Sequence, residues 1–246
     1  MKNLAEKVAV VTGSSKGIGA AIALRLAQEG ARVVVNYSGS KAAADETVSG
    51  ITSSGGEAIA IKADVSRKEE VIRLFTESIE HFGNVDIWVN NAGVMINALI
   101  KDLSEEQLEK QLDINFKGVF YSLQQAAAQL SDNGSIINLS STVTRTAFPT
   151  YGVYAATKAA VEQMSRIFAK EIGSRGINVN CVLPGPTGTD LFLNGKSEEQ
   201  IKQLASSNAF GRLGTPEDIA EVVAFLASDQ AKWISGQSIG ANGGMA

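Results

Sequence analysis

The chain has 246 residues with one cysteine and one histidine, and 22 lysines and arginines against 26 acids leave it a net charge of −4. A lone cysteine rules out a disulfide within the chain, and so thin a His/Cys supply argues against a metal cluster or a Ser-His-Asp triad. The cations are scattered, which argues against a nucleic-acid footprint, and no apolar run nears the roughly 20 residues that a membrane-spanning helix needs.

The first residues, MKNLAEKVAVV, lead straight into an apolar strand and a Gly-rich turn instead of a cleavable leader, so a soluble cytoplasmic protein is expected. Short β-branched runs predict strands at Val8–Val11, Arg32–Asn36, Glu57–Lys62, Asp86–Asn90, Ser135–Ser140, Ile177–Leu183 and Gln237–Gly240. Most are continuously apolar, as parallel strands covered on both faces should be. Helical segments alternate with them. In IGAAIALRLAQEG, Ile22 and Leu26 make an apolar stripe and Gly30 supplies the stop. A long helix is predicted over Ser104–Leu130, with an apolar second half that suits either a core or an interface.

The expected architecture is α/β, a single doubly wound Rossmann-type domain over residues 1–246. Its parallel sheet should have about seven strands, with helices on both faces. One stretch, around 185–215, breaks the alternation with Gly, Ser, Thr and Asn around SEEQIKQLA. It follows a strand end, where ligand crevices form, so it reads either as a substrate lid or as an ordinary exposed helix and loop.

The first strand runs into TGSSKGIG, with glycines at 13, 17 and 19 and with Ser15, Lys16 and Ile18 between them. Glycine there permits a tight turn and lets backbone N–H groups approach a pyrophosphate at a helix N-terminus. The spacing is GxxxGxG and departs from the GxGxxG fingerprint. A strand end that binds NAD usually carries an acid for the ribose 2′-hydroxyl. Here the second strand ends in Asn36, Tyr37 and Ser38, and no acid lies between Gly30 and Ala44. Ser38 and Ser40 offer hydroxyls to a phosphate, and Lys16 and Lys41 offer charge. The expected cofactor is therefore NADP(H), with NAD(H) as the less favoured partner.

In PTYGVYAATKAAVEQ, Tyr154 and Lys158 are four residues apart and share one face of a predicted helix. A free tyrosine has a pKa near about 10, and an adjacent ammonium together with a cationic nicotinamide ring is expected to lower it toward useful acid–base chemistry. Tyr151 has Ala155 at the same offset and lacks that partner. Ser141, after the fifth strand, offers a donor to a developing oxyanion. Ser140 and Ser141 should point to opposite faces, so only one can serve.

Taken together, TGSSKGIG, NNAG (Asn90–Gly93), the SS pair followed by YAATK, and PGPTGT (Pro184–Thr189) resemble the short-chain dehydrogenase/reductase (SDR) family, from Lys7 to Gly244. The resemblance implies a catalytic set of Asn115, Ser141, Tyr154 and Lys158. The family's serine-to-tyrosine separation selects Ser141 over Ser140, and Asn115 would hold a water in a proton relay from Lys158. It also implies that Gly13, Gly17, Ile18 and Gly19 cradle pyrophosphate, with Ser15 and Lys16 in the same turn. Asp64 would meet the adenine, with Val65 beside it, and Asn91, Ala92 and Gly93 would pass the adenosine ribose. Lys158 would hold the nicotinamide ribose and Thr189 the carboxamide, with Pro184, Gly185 and Thr187 completing the cofactor contacts.

There are two departures. The DGG common near the end of the family reads Asn242-Gly243-Gly244 here, so any role of that acid is lost. Ser131-Asp132-Asn133 stand where members that reduce acyl-carrier-protein thioesters tend to be basic, although Arg175 matches a second basic position of those enzymes. The lone His81 reads as a solvated helix-end residue.

The residues expected to face substrate are Met95, Val143, Phe148, Leu191 and Phe192, with Val94, Ile96 and Phe210 nearby; Arg145 reads either as an anion contact or as an exposed arginine. This mostly apolar set suggests NADPH-dependent reduction of a moderately hydrophobic ketone or ketoester. The alternatives are a 3-oxoacyl-acyl-carrier-protein reductase and, more remotely, a catalytically silent nucleotide sensor. No metal, nucleic acid or membrane partner is expected, and the resemblance implies a homotetramer.

Overall fold

The seven β-branched runs become seven strands of one parallel sheet in the computed structural model, which describes residues 3–246. The strands are β1 (Val8–Val11), β2 (Arg32–Tyr37), β3 (Glu57–Lys62), β4 (Ile87–Asn90), β5 (Ser135–Leu139), β6 (Asn178–Pro184) and β7 (Ser238–Ala241). Their order is β3-β2-β1-β4-β5-β6-β7. The order reverses between β1 and β4, and it is outside the carboxyl ends at such a switch that α/β sheets open a crevice. Several strand ends move by a residue from the sequence reading, because the ladder decides them. Tyr37 pairs with Lys62, and Pro184 with Ala241.

Alternate strand residues point to opposite faces, so each face has its own core. On one side Ala9, Val11, Val33 and Val35 meet Ile22 and Leu26 of α1 (Gly17–Gln28). The same layer holds Ile51 of α2 (Lys41–Ser53). On the other side Val8, Val10, Val34 and Trp88 meet Leu74 and Phe75 of α3 (Lys68–Phe82). Phe75 stacks on Trp88 with ring centroids 3.8 Å apart.

The helix expected over Ser104–Leu130 is two helices. Ser104 and Gln107 form a capping box that starts α4 (Glu105–Leu112), a π-turn follows over Asp113–Lys117, and α5 runs over Gly118–Gln129. The wide turn carries Asn115, wholly buried, whose amide is held by the backbone of Val94. That long-range pairing supports the extra turn residue, and helical periodicity carries no local mark of it.

After β5 come the single turn α6 (Val143–Thr146) and the 21-residue α7 (Gly152–Ile172). The 185–215 stretch holds two short helices, α8 (Asp190–Leu193) and α9 (Glu198–Ala205), neither with a fully buried residue. Thr215 then caps α10 (Pro216–Ala227), which packs on α1's side of the sheet. Among the described residues, no helix is long and apolar enough to cross a membrane, and no group of three or more His, Cys, Asp or Glu residues stands ready for a metal ion.

Candidate active site

Four backbone features converge at the carboxyl ends of β1 and β4. Asn91 donates from Nδ2 to the carbonyls of Thr12 and Gly13 at 2.9 and 3.0 Å, and Thr12 Oγ1 accepts from the Asn91 and Ala92 N–H groups at 3.0 Å each. The turn after β1 is thereby locked against the segment after β4. Gly13 has φ +61°, and a Cβ there would lie 2.9 Å from the Ala92 Cα, so glycine answers both conformation and space. A Cβ on Gly19 would stand 2.5 Å from both Asn91 Nδ2 and the Gly13 carbonyl oxygen.

One cavity of about 940 Å³ runs from this turn to the far side of β5. The cofactor-contact residues expected from the sequence line it, Lys41 excepted: Gly13, Ser15, Lys16, Gly17, Ile18 and Gly19 in the turn; Asn36, Tyr37 and Ser38 at the end of β2; Asp64 and Val65 after β3; Asn91, Ala92 and Gly93 after β4; Tyr154 and Lys158 on α7; and Pro184, Gly185, Thr187 and Thr189 at and after the end of β6. The first turn of α1 has no side-chain cap and no acid, so its N–H groups are free to meet a diphosphate. The donors, the absence of a repelling acid, and the length of the cavity fit a dinucleotide.

Some expected side chains turn out to brace the wall. Asn36 is buried, accepts the Gly13 N–H at 3.1 Å, and donates to the Ala63 carbonyl at 3.0 Å. Its amide thus shapes the glycine turn from behind. Ser40 caps α2 by accepting from Ala43 N, and Lys41 is ion-paired to Asp45 at 2.7 Å. Of the polar groups read as phosphate partners, Ser38 and Lys16 have no such engagement among the described residues. Asp64 Oδ1 accepts from the backbone N–H and hydroxyl of Ser66, at 3.0 and 2.7 Å.

At the other end of the cavity, α7 brings Tyr154 and Lys158 to one face, with Lys158 Nζ 5.8 Å from the Tyr154 ring centroid. Lys158 is buried and donates to the Leu139 carbonyl at 2.8 Å. Burial lowers its pKa to about 8. The same burial pushes the Tyr154 phenol up to about 12, against a smaller downward pull from its hydrogen bond with Ser141. The sequence reading expected the phenol to fall because of the lysine. In the folded protein desolvation is the largest influence on the phenol, and Lys158 is not among the resolved ones.

The two serines diverge as strand geometry requires. Ser141 faces Tyr154, whereas Ser140 is buried and donates to Glu162 Oε1 at 2.8 Å. Glu162, one turn beyond Lys158 on α7, also receives Arg145 at 2.6 Å. Arg145 is exposed, and its guanidinium is engaged with Glu162. Asn115 sits behind the cavity, between Val94 and Thr157, with its side chain bracing Val94 and closed off from the cavity space.

Met95, Val143, Phe148, Leu191 and Phe192 all line the cavity. Phe210 does not. It lines a separate cavity of about 290 Å³ and is largely exposed. Sequence reasoning missed Ile114, Thr146, Tyr151, Leu204 and Met245 as cavity residues. Tyr151 had a signal, since it precedes Tyr154 by one helical turn and its ring lies edge-on at 6.4 Å. Leu204 and Met245 are brought in by α9 and by the segment after β7, and nothing in their local sequence announces it.

The profile of a family described as enoyl-(acyl carrier protein) reductase matches residues 13–246. An uncharacterized oxidoreductase of Methylorubrum extorquens is 47% identical, over 100% of both chains. The NADPH-dependent aldehyde reductase 2 of Arabidopsis thaliana, a chloroplastic protein, is 44% identical over 98% of this chain and 94% of its own length. Among solved structures, the landomycin C-6 ketoreductase LanV with bound NADP and rabelomycin superposes with a TM-score of 0.90. It is 39% identical and is matched over 99% of this chain and 97% of that one.

Proposed function

The chain belongs to the short-chain dehydrogenase/reductase family of oxidoreductases, and from that premise we propose that it reduces the carbonyl of an apolar ketone or ketoester with NADPH. The observation that carries this reading is the half-buried Tyr154 beside Lys158 and Ser141 at the apolar end of the cavity. A bound nicotinamide supplies the hydride. The chain's own part is to bind, orient and protonate. The free N–H groups of α1 receive the diphosphate, and Ser38, on a strand end that carries no acid of its own, faces the adenosine end. Ser141 donates to the carbonyl oxygen, and Tyr154 delivers its proton to that oxygen as charge develops there.

Desolvation raises the Tyr154 phenol, which suits it to act as the proton donor to the carbonyl oxygen. Lys158, held by the Leu139 carbonyl, stabilises negative charge on the tyrosine as the proton leaves. Asn115 acts behind them by fixing Val94 and Thr157. The 185–215 segment serves as a lid over the substrate end, since Leu191, Phe192 and Leu204 all line that end from it. Homotetramer assembly is part of the same reading by family resemblance.

Reduction of acyl-carrier-protein thioesters is the second reading, favoured by the description of the matching family profile. Against it stands Arg175, the cation that would meet an acidic carrier. It is paired with Asp132 at 2.6 Å and donates to the Ala127 carbonyl at 2.8 Å. The test is NADPH and NADH oxidation by the purified protein over a panel of alkyl and aryl ketones, ketoesters and an acyl-carrier-protein thioester. Turnover of the free ketones with a higher kcat/KM for NADPH is expected. Activity confined to the thioester, or to NADH, would overturn the assignment.

A further inference from the structure

Asn242, at the position where the family commonly has an acid, makes more bonds than a carboxylate there could. Its Nδ2 donates to Thr142 Oγ1 and to the Ala246 carbonyl, at 3.2 Å each. Its Oδ1 accepts from the N–H groups of Gly244 and Met245, at 3.1 and 3.2 Å. Thr142 is the residue after Ser141, so the segment following β7 is registered directly on the serine turn. The same segment is tied to the return of the 185–215 stretch, where Ala209 N donates to the Gly243 carbonyl at 2.9 Å. Ser207 Oγ lies 3.8 Å from Met245 Sδ.

The result is that Met245 lines the large cavity together with Leu204, Phe148, Tyr151 and Leu191. We propose that Met245, held in place by Asn242, forms an apolar wall of the substrate end and sets how large a group beside the carbonyl is accepted. This rests on the carbonyl-reductase reading of the site. A thioether on three rotatable bonds adapts its shape to different apolar partners, where a branched side chain would fix one outline. The substrate class that follows is a ketone with a sizeable alkyl or aryl substituent, seated between α9, Tyr151 and Met245. Asn242 is a positioning residue here, because it reaches substrate only through Met245 and the serine turn.

The test uses the full chain with NADPH and two probes, acetophenone and hexanophenone. Met245→Ala is expected to raise, and Met245→Trp to lower, the kcat/KM of hexanophenone relative to acetophenone by about 10-fold or more, the scale of a mismatch of a methylene or more in an apolar pocket. Asn242→Ala should disturb the same ratio. Asn242→Asp, which keeps both acceptor bonds, should fall between it and the natural protein. A ratio that stays within about twofold in both Met245 variants overturns the proposal. A second readout needs no turnover. In protein labelled with methyl-13C methionine, with the signal identified through Met245→Leu, the Met245 methyl should shift when hexanophenone is added with NADP. No shift overturns the proposal. Failure of the natural protein to reduce either ketone would instead sink the carbonyl-reductase reading, and the methyl signal still decides where Met245 lies.

Discussion

The Lys158 ammonium stands 5.8 Å from the centroid of the Tyr154 ring, one helical turn further along α7. Lys158 is buried and Tyr154 half-buried, and desolvation drives them in opposite directions, the phenol to about 12 and the ammonium to about 8. The two shifts bring the proton affinities of donor and neighbour to the reverse of their order in water.

Removing the phenolic oxygen alone should therefore abolish the chemistry and spare the binding. Tyr154→Phe is expected to lower kcat by about 100- to 10,000-fold, the range attributed to one positioned acid. NADPH binding, followed by fluorescence, should persist, because the α1 turn and the β2 end are untouched. Turnover that survives largely intact would mean that another group supplies the proton.

Lys158 gives a pH signature with a definite sign. Its pKa is depressed in the fold, so its charge is present below about pH 8 and lost above it. Carbonyl reduction should accordingly decline as pH rises through 8, while Tyr154 remains protonated throughout that window. Stability should move the other way. Between about pH 8 and the usual lysine value the unfolded chain binds more protons than the folded one, so stability rises with pH there. Lys158→Met removes a buried cation that has no carboxylate partner. Its thermal midpoint relative to the natural protein should be most favourable at pH 7 and lose ground toward pH 10. A difference that is independent of pH would show that the ammonium is not desolvated in solution.

The adjacent serines separate a chemical role from a packing role. Ser141→Ala removes the hydroxyl next to Tyr154 and should cost about 10- to 1,000-fold in kcat, with Ser141→Thr recovering part of it. Because Ser141 is what pulls the Tyr154 phenol down, its loss should move any titration of that phenol further upward. Ser140→Ala should act on stability first and lower kcat much less than Ser141→Ala, since its hydroxyl serves the buried Glu162 and the Lys158 carbonyl and reaches the chemistry through the register of the turn. Thermal melts and kcat on the two variants check this, and equal losses of kcat would contradict it.

The legibility of this chain follows how local each signal is. The β-branched runs gave the strands because a parallel strand is buried on both faces and needs no alternation, and Tyr154–Lys158 is a helical offset that any reader can count. Ser141 was separated from Ser140 only by family register, and the structure supplies the reason in Glu162, 22 residues away. The π-turn at Asn115 and the arrival of Met245 at the cavity depend on partners distant in sequence, Val94 in one case and Thr142 in the other. The raised Tyr154 phenol differs from the sequence expectation because the charge of a neighbour is visible in sequence, whereas the extent of desolvation is a property of the packed whole.

Glu162 is the group through which that packing is most open to test. It is 6% exposed, receives Ser140 at 2.8 Å and Arg145 at 2.6 Å, and so ties the 140–146 turn to α7 one turn past Lys158. Removing a carboxylate from such a site leaves a buried hydroxyl and a guanidinium without their acceptor, a loss of about 1–3 kcal/mol. Glu162→Ala should show that loss in denaturant unfolding. It should also lower kcat more than it raises KM, because the serine turn and the tyrosine helix would no longer share a register. Glu162→Gln keeps an acceptor for Ser140 and gives up the charge that holds Arg145, so it should recover most of kcat and less of the stability. If Arg145→Ala reproduced the whole kcat loss of Glu162→Ala, the guanidinium and not Ser140 would be the partner through which Glu162 sets the geometry of the site.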